Sequence, residues 1–411
     1  MPVLVKSAYD IKLPEMIPVT QVFPDEKLKI AEIQDVIARE FSIDKVKSKI
    51  KPGQKIAVLV GSRGISNLDV VVKATIDQLL ALGTKPVIIP AMGSHGGGMA
   101  EEQQRIIECY GVTEEGMGVP IMSSMETVII GETSGGVPVH ADAEACRMDA
   151  VIPINRIKTH TDYDGKIESG LCKMLSIGIG KHNGCARLHQ EGFKSFHKLI
   201  PEAAEVVLSK LNIPFGIAMI ENAHENLHTI EAVPGDEILT REPDLLALSK
   251  SLMPRINFDE IDVLIVEKMG KNITGAGMDP NIIGRLSTGK IRNFGGPDIK
   301  RIVVLELTSE SHHNAIGVSL ADYITRSLYQ EIDHETTYAN AIASGNPEAA
   351  KIPIVFETEE EALRAAIMTC AGIEPNDAKI VRIQDTLHLV NIKISENMKS
   401  LCLDDSRFVL L

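Results

Sequence analysis

Short apolar runs alternate with amphipathic stretches along most of the chain. The run Lys55–Val60, KIAVLV, is apolar almost throughout and predicts a strand buried on both faces. Apolar residues at helical spacing predict a helix at 68–82, capped by Ser66 or Asn67, and a second strand and helix follow at 86–90 and 99–110. Further strands are predicted at 127–130, 150–154, 216–220, 263–266, 302–305 and 352–356, and further helices at 196–211, 319–330 and 359–371.

The alternation of strands and helices predicts an α/β fold with mainly parallel sheets. A chain of 411 residues is too long for one ordinary core, so two domains are expected. Prolines and acids at 241–259 indicate a boundary there. We therefore predict an N-terminal α/β domain at 1–255 and a C-terminal α/β domain at 256–390. The tail at 391–411 could return to the N-terminal domain.

Chemically distinctive loops follow the predicted strands. In open α/β sheets, ligands bind at the carboxyl ends of the strands. The loops there are 61–67, which contains Gly-Ser-Arg-Gly, the loop of His95, the segment 156–189, and a Gly-rich loop with Lys271. Their convergence predicts one site in the cleft between the two domains.

The balance of charge excludes some partners. The formal net charge is −14, aromatic residues make up 4% of the chain and Trp is absent, which argues against a nucleic acid or an anionic membrane. Locally the sign reverses: residues 156–187 hold 6 Lys/Arg against 3 Asp/Glu, and residues 268–301 hold 7 against 2. These basic segments indicate an anionic ligand, although solvated surface side chains would give the same count.

The cysteines and the N-terminal sequence indicate a cytoplasmic protein. None of the 6 cysteines forms a tight pair such as CxxC, which is typical of reduced thiols. The first residues lack the pattern of a signal peptide, and no apolar run approaches the roughly 20 residues that a membrane helix needs.

Titratable groups are concentrated among glycines in the 35 residues from Asn155 to His189. His160 follows an apolar strand, and Asp162 or Asp164 could orient its ring. Lys173 lies in the apolar sequence SGLCKMLSIGIG, where a lysine either extends to the surface or has a lowered pKa and acts as a nucleophile. His189 is either a metal ligand or a surface helix residue, and His182 is a weaker candidate.

Two earlier loops carry further candidates. The glycines around Ser62 and Arg63 permit close approach of an anion to a helix N-terminus, and a guanidinium can pair bidentately with a carboxylate or a phosphate. His95, in GSHGGG, is accessible among glycines and suits acid–base chemistry near neutral pH, unless it only caps the next helix. His312 and His313 fit a helix-entry loop better than a site.

The ordered set of these motifs resembles the lactate racemase family of nickel-pincer-nucleotide enzymes. The matching elements are the GSR loop, the Gly-x-His loop of His95, the loop of His160, the Ser-Gly-x-x-Lys element ending at Lys173, and His189. The resemblance spans most of the chain. It implies an isomerase that racemises or epimerises 2-hydroxy acids.

The resemblance also implies the roles of individual residues. Lys173 would carry the nickel pincer nucleotide through a thioamide, and His189 would be the protein ligand to nickel. Hydride would pass reversibly from the substrate to the cofactor, while His95 and His160 serve as the two acid–base groups. Ser62 and Gly64 would contact the cofactor, and Arg63 and Lys271 would bind the substrate carboxylate.

Three departures from the lactate enzymes change the expected substrate. Glycines at 96–98 replace bulkier residues, no acid precedes Arg63, and the interval from His160 to Lys173 is slightly longer and richer in charge. We therefore expect a substrate larger or more polar than lactate, such as a sugar acid or a dicarboxylic hydroxy acid. The expected partners are this substrate and the cofactor-synthesis enzymes, and a homo-oligomer is possible.

Two other functions agree with the same residues. Lys173 could form a Schiff base in an aldolase or dehydratase that acts on a 2-keto acid without nickel. A non-enzymatic metal- or nucleotide-binding protein would instead depend on Cys172 and Cys185. The second alternative predicts no special requirement for Lys173, so a substitution there separates it from both enzymes.

Overall fold

The computed structural model describes residues 6–61, 64–287 and 296–410. Strands in this part of the chain are β1 Met16–Gln21, β2 Lys55–Val60, β3 Lys85–Pro90, β4 Thr127–Glu132, β5 Pro138–Asp142, β6 Ala150–Arg156, β7 Phe215–Glu221, β8 Leu227–Pro234, β9 Glu260–Met269, β10 Asp298–Leu307, β11 Tyr323–Thr325, β12 Ile354–Phe356, β13 Ile380–Ile383, β14 Asn391–Ser395 and β15 Phe408–Leu410. The α-helices are α1 Ile30–Ser42, α2 Asp44–Lys47, α3 Leu68–Ala81, α4 Ala100–Cys109, α5 Glu114–Met117, α6 Leu171–Lys173, α7 Lys181–His189, α8 Phe196–Lys210, α9 Ile238–Leu252, α10 Pro280–Ile283, α11 Arg326–Glu331, α12 His334–Ala343 and α13 Glu359–Met368.

The chain forms two compact units that differ from the predicted domains. One unit is 25–253, and the other combines 1–24 with 254–411. The first 24 residues join the second unit because β1 pairs antiparallel with β14 and β15. The predicted domain 1–255 is therefore too long at its N-terminus. The strands β14 and β15 of the tail pair with β1, so the tail belongs to the discontinuous unit and does not return to the unit 25–253. The predicted boundary region 241–259 begins inside α9, which continues to Leu252.

A five-stranded sheet forms the centre of the unit 25–253. Its order is β3-β2-β6-β7-β8, with the first four strands parallel and β8 antiparallel to β7. Ile56 and Val58 of β2 belong to the cluster that contains α1 and α3, whereas Ala57 and Leu59 belong to the cluster that contains α8 and α9. Both faces are covered by helices, which explains why β2 is a continuous apolar run.

The other unit contains an eight-stranded mixed sheet. Its order is β12-β11-β10-β9-β13-β14-β1-β15, parallel as far as β13 and antiparallel from there. Helix α13 packs against β9 and β10 through Leu363 and Ala366. The prediction of an α/β fold with mainly parallel sheets is confirmed. No helix among the described residues has the length and apolar character required to cross a membrane.

One predicted helix is wrong. Residues 323–325 of the predicted helix 319–330 form β11, which lies between β10 and β12, and the helix α11 begins only at Arg326. The carboxylate of Asp322 accepts the N–H of Ile302 at 2.8 Å and fixes this segment beside β10. The apolar side chains at 323 and 324 are buried in a sheet, and their spacing alone does not distinguish a strand from a helix.

Candidate active site

The strand order of the unit 25–253 creates a topological switch point beside β2. After β2 the chain passes to β3 on one side of it, and later to β6 on its other side. Ligands bind in the crevice at such a point, outside the carboxyl ends of the strands. Glu221, at the end of β7, accepts the N–H of Ser66 at 2.6 Å and pairs with the guanidinium of Arg156. It thereby joins the ends of β6 and β7 to the loop that follows β2.

The predicted roles of Ser62, Arg63, Gly64 and Lys271 stay predictions. Ser62 and Arg63 lie outside the described residues. Gly64 is exposed, and a Cβ there would make only ordinary contact with Tyr110, so sterics do not require glycine at this position. Lys271 belongs to the other unit, in the loop after β9, where its Nζ contacts Oδ1 of Asn340.

The loop of His95 has a backbone that glycine favours. Gly96, Gly97 and Gly98 have φ values of 64°, 63° and 68°, a left-handed conformation that other residues adopt at a cost. A Cβ at Gly98 would lie 3.1 Å from Nδ1 of His182 on α7. Backbone conformation and contact with α7 therefore account for the three glycines, which sequence analysis interpreted as room for a larger substrate.

His95 itself is exposed at the start of this loop. The buried side chain of Gln103 on α4 donates from Nε2 to the carbonyl oxygens of Gly93 and His95, at 2.9 and 3.0 Å. These bonds fix the backbone around His95. The imidazole is therefore presented from a rigid turn, as an acid–base group requires.

His160 lies in a polar loop after β6 and is largely enclosed. Its ring lies 4.4 Å from the ring of Tyr163, centroid to centroid. Nδ1 accepts the N–H of Asp162 at 3.0 Å, and Oδ2 of Asp162 lies 3.6 Å from the same nitrogen. In this arrangement the proton of a neutral ring resides on Nε2. Sequence analysis expected Asp162 or Asp164 to orient His160, and Asp162 contacts its ring.

Lys173 ends a short helix that polar side chains hold at its start. Asn155, on β6, donates from Nδ2 to the carbonyl of Gly170 at 2.7 Å. Glu242, on α9, accepts the N–H of Cys172 at 2.9 Å. A Cβ at Gly170 would lie 2.2 Å from Oε1 of Glu242, which explains the glycine in the Ser-Gly-x-x-Lys element. A π-helical turn follows at Met174–Gly178, a feature that often occurs at functional sites.

His189 forms a pair with Cys185, one turn earlier on α7. Nδ1 of His189 lies 2.7 Å from the carbonyl oxygen of Cys185 and 3.5 Å from its Sγ. Burial alone would lower the pKa of His189, and the charge of Lys173 acts in the same direction, but the hydrogen bonds with Cys185 outweigh both and raise it. Burial would raise the pKa of the Cys185 thiol, but the hydrogen bond to His189 lowers it. Because the carbonyl engages Nδ1–H, Nε2 is available to a metal.

Aromatic contacts bring the predicted residues together. The ring of Phe193 lies 6.1 Å from that of His160 and 5.4 Å from that of His189. The charge of Lys173 acts on His189, and Sγ of Cys185 lies 3.4 Å from Oγ of Ser94, the neighbour of His95. Thus His160 and His189 lie beside one aromatic cluster, the charge of Lys173 reaches His189, and His95 is linked to this group through Ser94.

Metal-binding groups are sparse in this region. Among the described residues, no three His, Cys, Asp or Glu side chains are grouped so that they could hold a metal ion by themselves. A metal bound at His189 would therefore take most of its ligands from a cofactor or a substrate. A cavity of about 470 Å³ lies in the same unit, against Asp164, Lys166, His197 and Pro201, and is lined by none of the predicted site residues.

Glu242 gives a prediction for the dependence of stability on pH. The carboxyl is fully buried, and burial raises its pKa to about 7 from an ordinary 4.5, although the N–H groups of Cys172 and Leu171 oppose this. Because the folded pKa is the higher one, the folded state favours the protonated form. The stabilisation that the protonated Glu242 carboxyl gives to the folded state is complete below about pH 4.5 and is lost as the pH rises through about 7.

We expect Glu242→Gln, which mimics the protonated carboxyl, to be more stable than the wild type at pH 8.5 by the order of 3 kcal/mol. The difference should shrink towards pH 5. Urea unfolding of both proteins at the two pH values checks this. If the free energies of unfolding of the wild type and of Glu242→Gln changed equally between the two pH values, the raised pKa would be contradicted.

Comparison with known proteins gives a family match and two structural likenesses. Residues 7–198 match the family model described as the lactate racemase N-terminal domain. A crystal structure of a Thermotoga maritima protein has 15% sequence identity and a TM-score of 0.53, covering 90% of this chain and 99% of that chain. The lactate racemase apoprotein of Thermoanaerobacterium thermosaccharolyticum has 13% identity and a TM-score of 0.53, covering 92% of this chain and 99% of that chain. At these identities the likeness shows the fold alone. No curated protein matches the chain.

Proposed function

Because the match at residues 7–198 places this chain in the lactate racemase family, we propose that it racemises or 2-epimerises a 2-hydroxy acid. The observation that carries the proposal is the placement of His160 and His189 beside Phe193, with Lys173 near enough to His189 for its charge to act on that ring. These three residues are separate in sequence, and each has a distinct task in this chemistry. The grouping supports an active site within the unit 25–253.

The residues of this site fit the family's nickel pincer nucleotide. Lys173 extends from a helix whose start is fixed by Asn155 and Glu242. The backbone that carries its amine is therefore held in place for covalent attachment. His189 would offer Nε2 to nickel, since its Nδ1 is oriented by the carbonyl of Cys185. When bound, this cofactor would supply a reversible acceptor for the hydride from C2 of the substrate.

The chain's own residues move the hydroxyl proton. His95 and His160 lie on separate loops; one accepts the hydroxyl proton of the starting enantiomer, and the other supplies a proton to the planar 2-keto acid as the opposite enantiomer forms. For Nε2 of His160 to accept a proton, Nδ1 must carry the other ring proton. The bond from the N–H of Asp162 must then give way to one from Nδ1–H to the Asp162 carboxylate, 3.6 Å away. The neighbouring carboxylate also stabilises the imidazolium that forms.

The remaining assignments concern substrate and cofactor contacts. Arg63 and Lys271 are proposed to bind the substrate carboxylate, and Ser62 and Gly64 to contact the cofactor. A sugar acid or a dicarboxylic hydroxy acid remains the proposed substrate class, because the interval from His160 to Lys173 is slightly longer and richer in charge than in the lactate enzymes. The glycines at 96–98 no longer support it, because loop geometry accounts for them.

Hydrogen retention at C2 tests the proposed reaction. Protein loaded by co-expression with cofactor-synthesis enzymes would be incubated in D₂O with single enantiomers of a panel of 2-hydroxy acids. We expect interconversion without deuterium at C2, since hydride does not exchange with solvent. Chiral chromatography with mass spectrometry measures both quantities. Deuterium at C2 in the product would show proton abstraction instead and would contradict the hydride mechanism.

A further inference from the structure

The loop that carries His160 is closed at its base and held from inside by one carboxylate. Lys158 and Ser169 exchange backbone hydrogen bonds of 2.9 and 3.1 Å, so residues 158–169 form a closed loop. Glu168 lies just inside this closure. We propose that Glu168 is the positioning residue for His160, an inference that rests on the acid–base role of His160 in the proposed function.

The carboxylate of Glu168 is saturated with donors from the loop and from a distant helix. Oε2 accepts the N–H of His160 at 2.7 Å, and Oε1 accepts the N–H of Gly165 at 3.3 Å. Nζ of Lys250, on α9, lies 2.6 Å from Oε1. The Glu168 side chain is only 2% exposed. A carboxylate buried to this degree is costly unless donors and a counter-charge satisfy it, and here both are present.

Two hydrogen bonds of Glu168 influence the position of the His160 imidazole. The bond to the N–H of His160 fixes the backbone from which the ring extends. The carbonyl of Glu168 accepts the hydroxyl of the buried Tyr163 at 2.8 Å, and Tyr163 is the ring on which His160 stacks. Both the backbone position of His160 and the Tyr163 ring beside its imidazole therefore depend on Glu168.

Helix α9 makes the arrangement rigid from outside the loop. Besides the ion pair of Lys250, Oγ of Ser249 donates to the carbonyl of Ile157 at 2.9 Å, just before the loop closes. Thr159 contacts Sδ of Met253 immediately after α9. Glu168 thus connects the loop to a packed helix, in the manner of the supporting shell that an acid–base residue needs.

Glu168→Gln is the test substitution, because it keeps the size of the side chain and removes its charge. An amide can accept only on its oxygen, so its NH₂ would face one of the donors that Glu168 now satisfies. Glu202→Gln is the matched control, since Glu202 is a carboxylate on α8 that pairs with Lys198 away from the site. Lys250→Met removes the counter-charge of Glu168 and serves as a second variant should Glu168→Gln not fold.

The first readout is ¹⁵N NMR of the His160 ring in protein without cofactor, assigned by its loss in His160→Asn. The wild type should show one tautomer, with the proton on Nε2, because Nδ1 accepts the N–H of Asp162. We expect Glu168→Gln, or Lys250→Met in its place, to give a mixture of tautomers, and Glu202→Gln to match the wild type. An unchanged single tautomer in the Glu168 and Lys250 variants would overturn the proposal.

The second readout is steady-state kinetics of loaded protein with a 2-hydroxy acid that the wild type turns over. We expect kcat to fall roughly 10- to 100-fold in Glu168→Gln with little change in KM, since a displaced base affects the reaction more than binding. Unchanged kcat would overturn the positioning role. If the wild type turned over no hydroxy acid, the proposed function would fail, and the NMR result would still decide whether Glu168 places His160.

Discussion

Lys173→Ala is expected to abolish covalent loading of the protein and all turnover of 2-hydroxy acids. The proposed thioamide tether of the cofactor would need the amine of that lysine, and alanine provides no substitute. Intact-mass spectrometry after co-expression with the cofactor-synthesis enzymes measures the adduct directly. Lys166→Ala is a suitable control, because Lys166 is exposed and seven residues earlier in the same segment.

The outcomes of this experiment separate the three functions considered from the sequence. An adduct in the wild type and in the Lys166 control, but not in Lys173→Ala, supports the nickel pincer enzyme. An adduct retained in Lys173→Ala would contradict the assignment of the attachment site. No adduct in the wild type, under conditions that load an authentic lactate racemase, would leave the Schiff-base and binding functions. Borohydride trapping of a 2-keto acid on Lys173 then distinguishes these two.

Lys181→Met is expected to destabilise the unit 25–253 by about 3–5 kcal/mol, the usual cost of breaking a buried ion pair from one side. Lys181 is fully buried, and its Nζ lies 3.2 Å from Oδ2 of Asp142, which is equally buried. The ammonium also donates to the carbonyl of Pro90, at the end of β3. Burial lowers the pKa of Lys181, while Asp142 opposes that shift. Methionine preserves the volume and leaves the carboxylate of Asp142 without its counter-charge.

Urea unfolding of Lys181→Met and wild type measures this loss. Lys198→Met is the control: Lys198 pairs with Glu202 at 3.4 Å but its side chain is 71% exposed, so about 0–1 kcal/mol is expected. The double variant Lys181→Met/Asp142→Asn should recover part of the stability, because the buried negative charge is removed. Equal stability of Lys181→Met and wild type would refute the structural role of this pair.

Sequence patterns predicted the central strands and failed where pairing is distant. The strand β2 was evident because it is covered on both faces and is therefore apolar throughout. The strands β1, β14 and β15 escaped prediction because β14 and β15 each pair with β1, which lies nearly the whole chain away. Local periodicity carries no information about such partners. The helix expected at 319–330 failed for a related reason, since neighbouring strands and not local spacing make residues 323–325 a strand.

At the candidate site, the sequence singled out the candidate groups and missed the residues that contact them. His160, Lys173 and His189 were identifiable because polar groups among glycines are conspicuous. Glu168 and Glu242 were not, because their partners Lys250 and Cys172 are 82 and 70 residues away in sequence. One signal was present for Glu242: it interrupts the apolar face of α9 between Ile238 and Leu245. An acid on an apolar face indicates a buried carboxylate with a specific structural task.

The division of the chain into a continuous and a discontinuous unit has a consequence for biosynthesis. The continuous unit, 25–253, contains all its own strands and can fold as soon as that length has left the ribosome. The strand β1 emerges before it, but its partners β14 and β15 are translated only after the whole of that unit. Until then both edges of β1 are unpaired, and unpaired strands invite association between nascent chains. Early folding of the unit 25–253 buries its own strands during that interval, which limits the aggregation hazard of pairing β1 with strands that are translated much later.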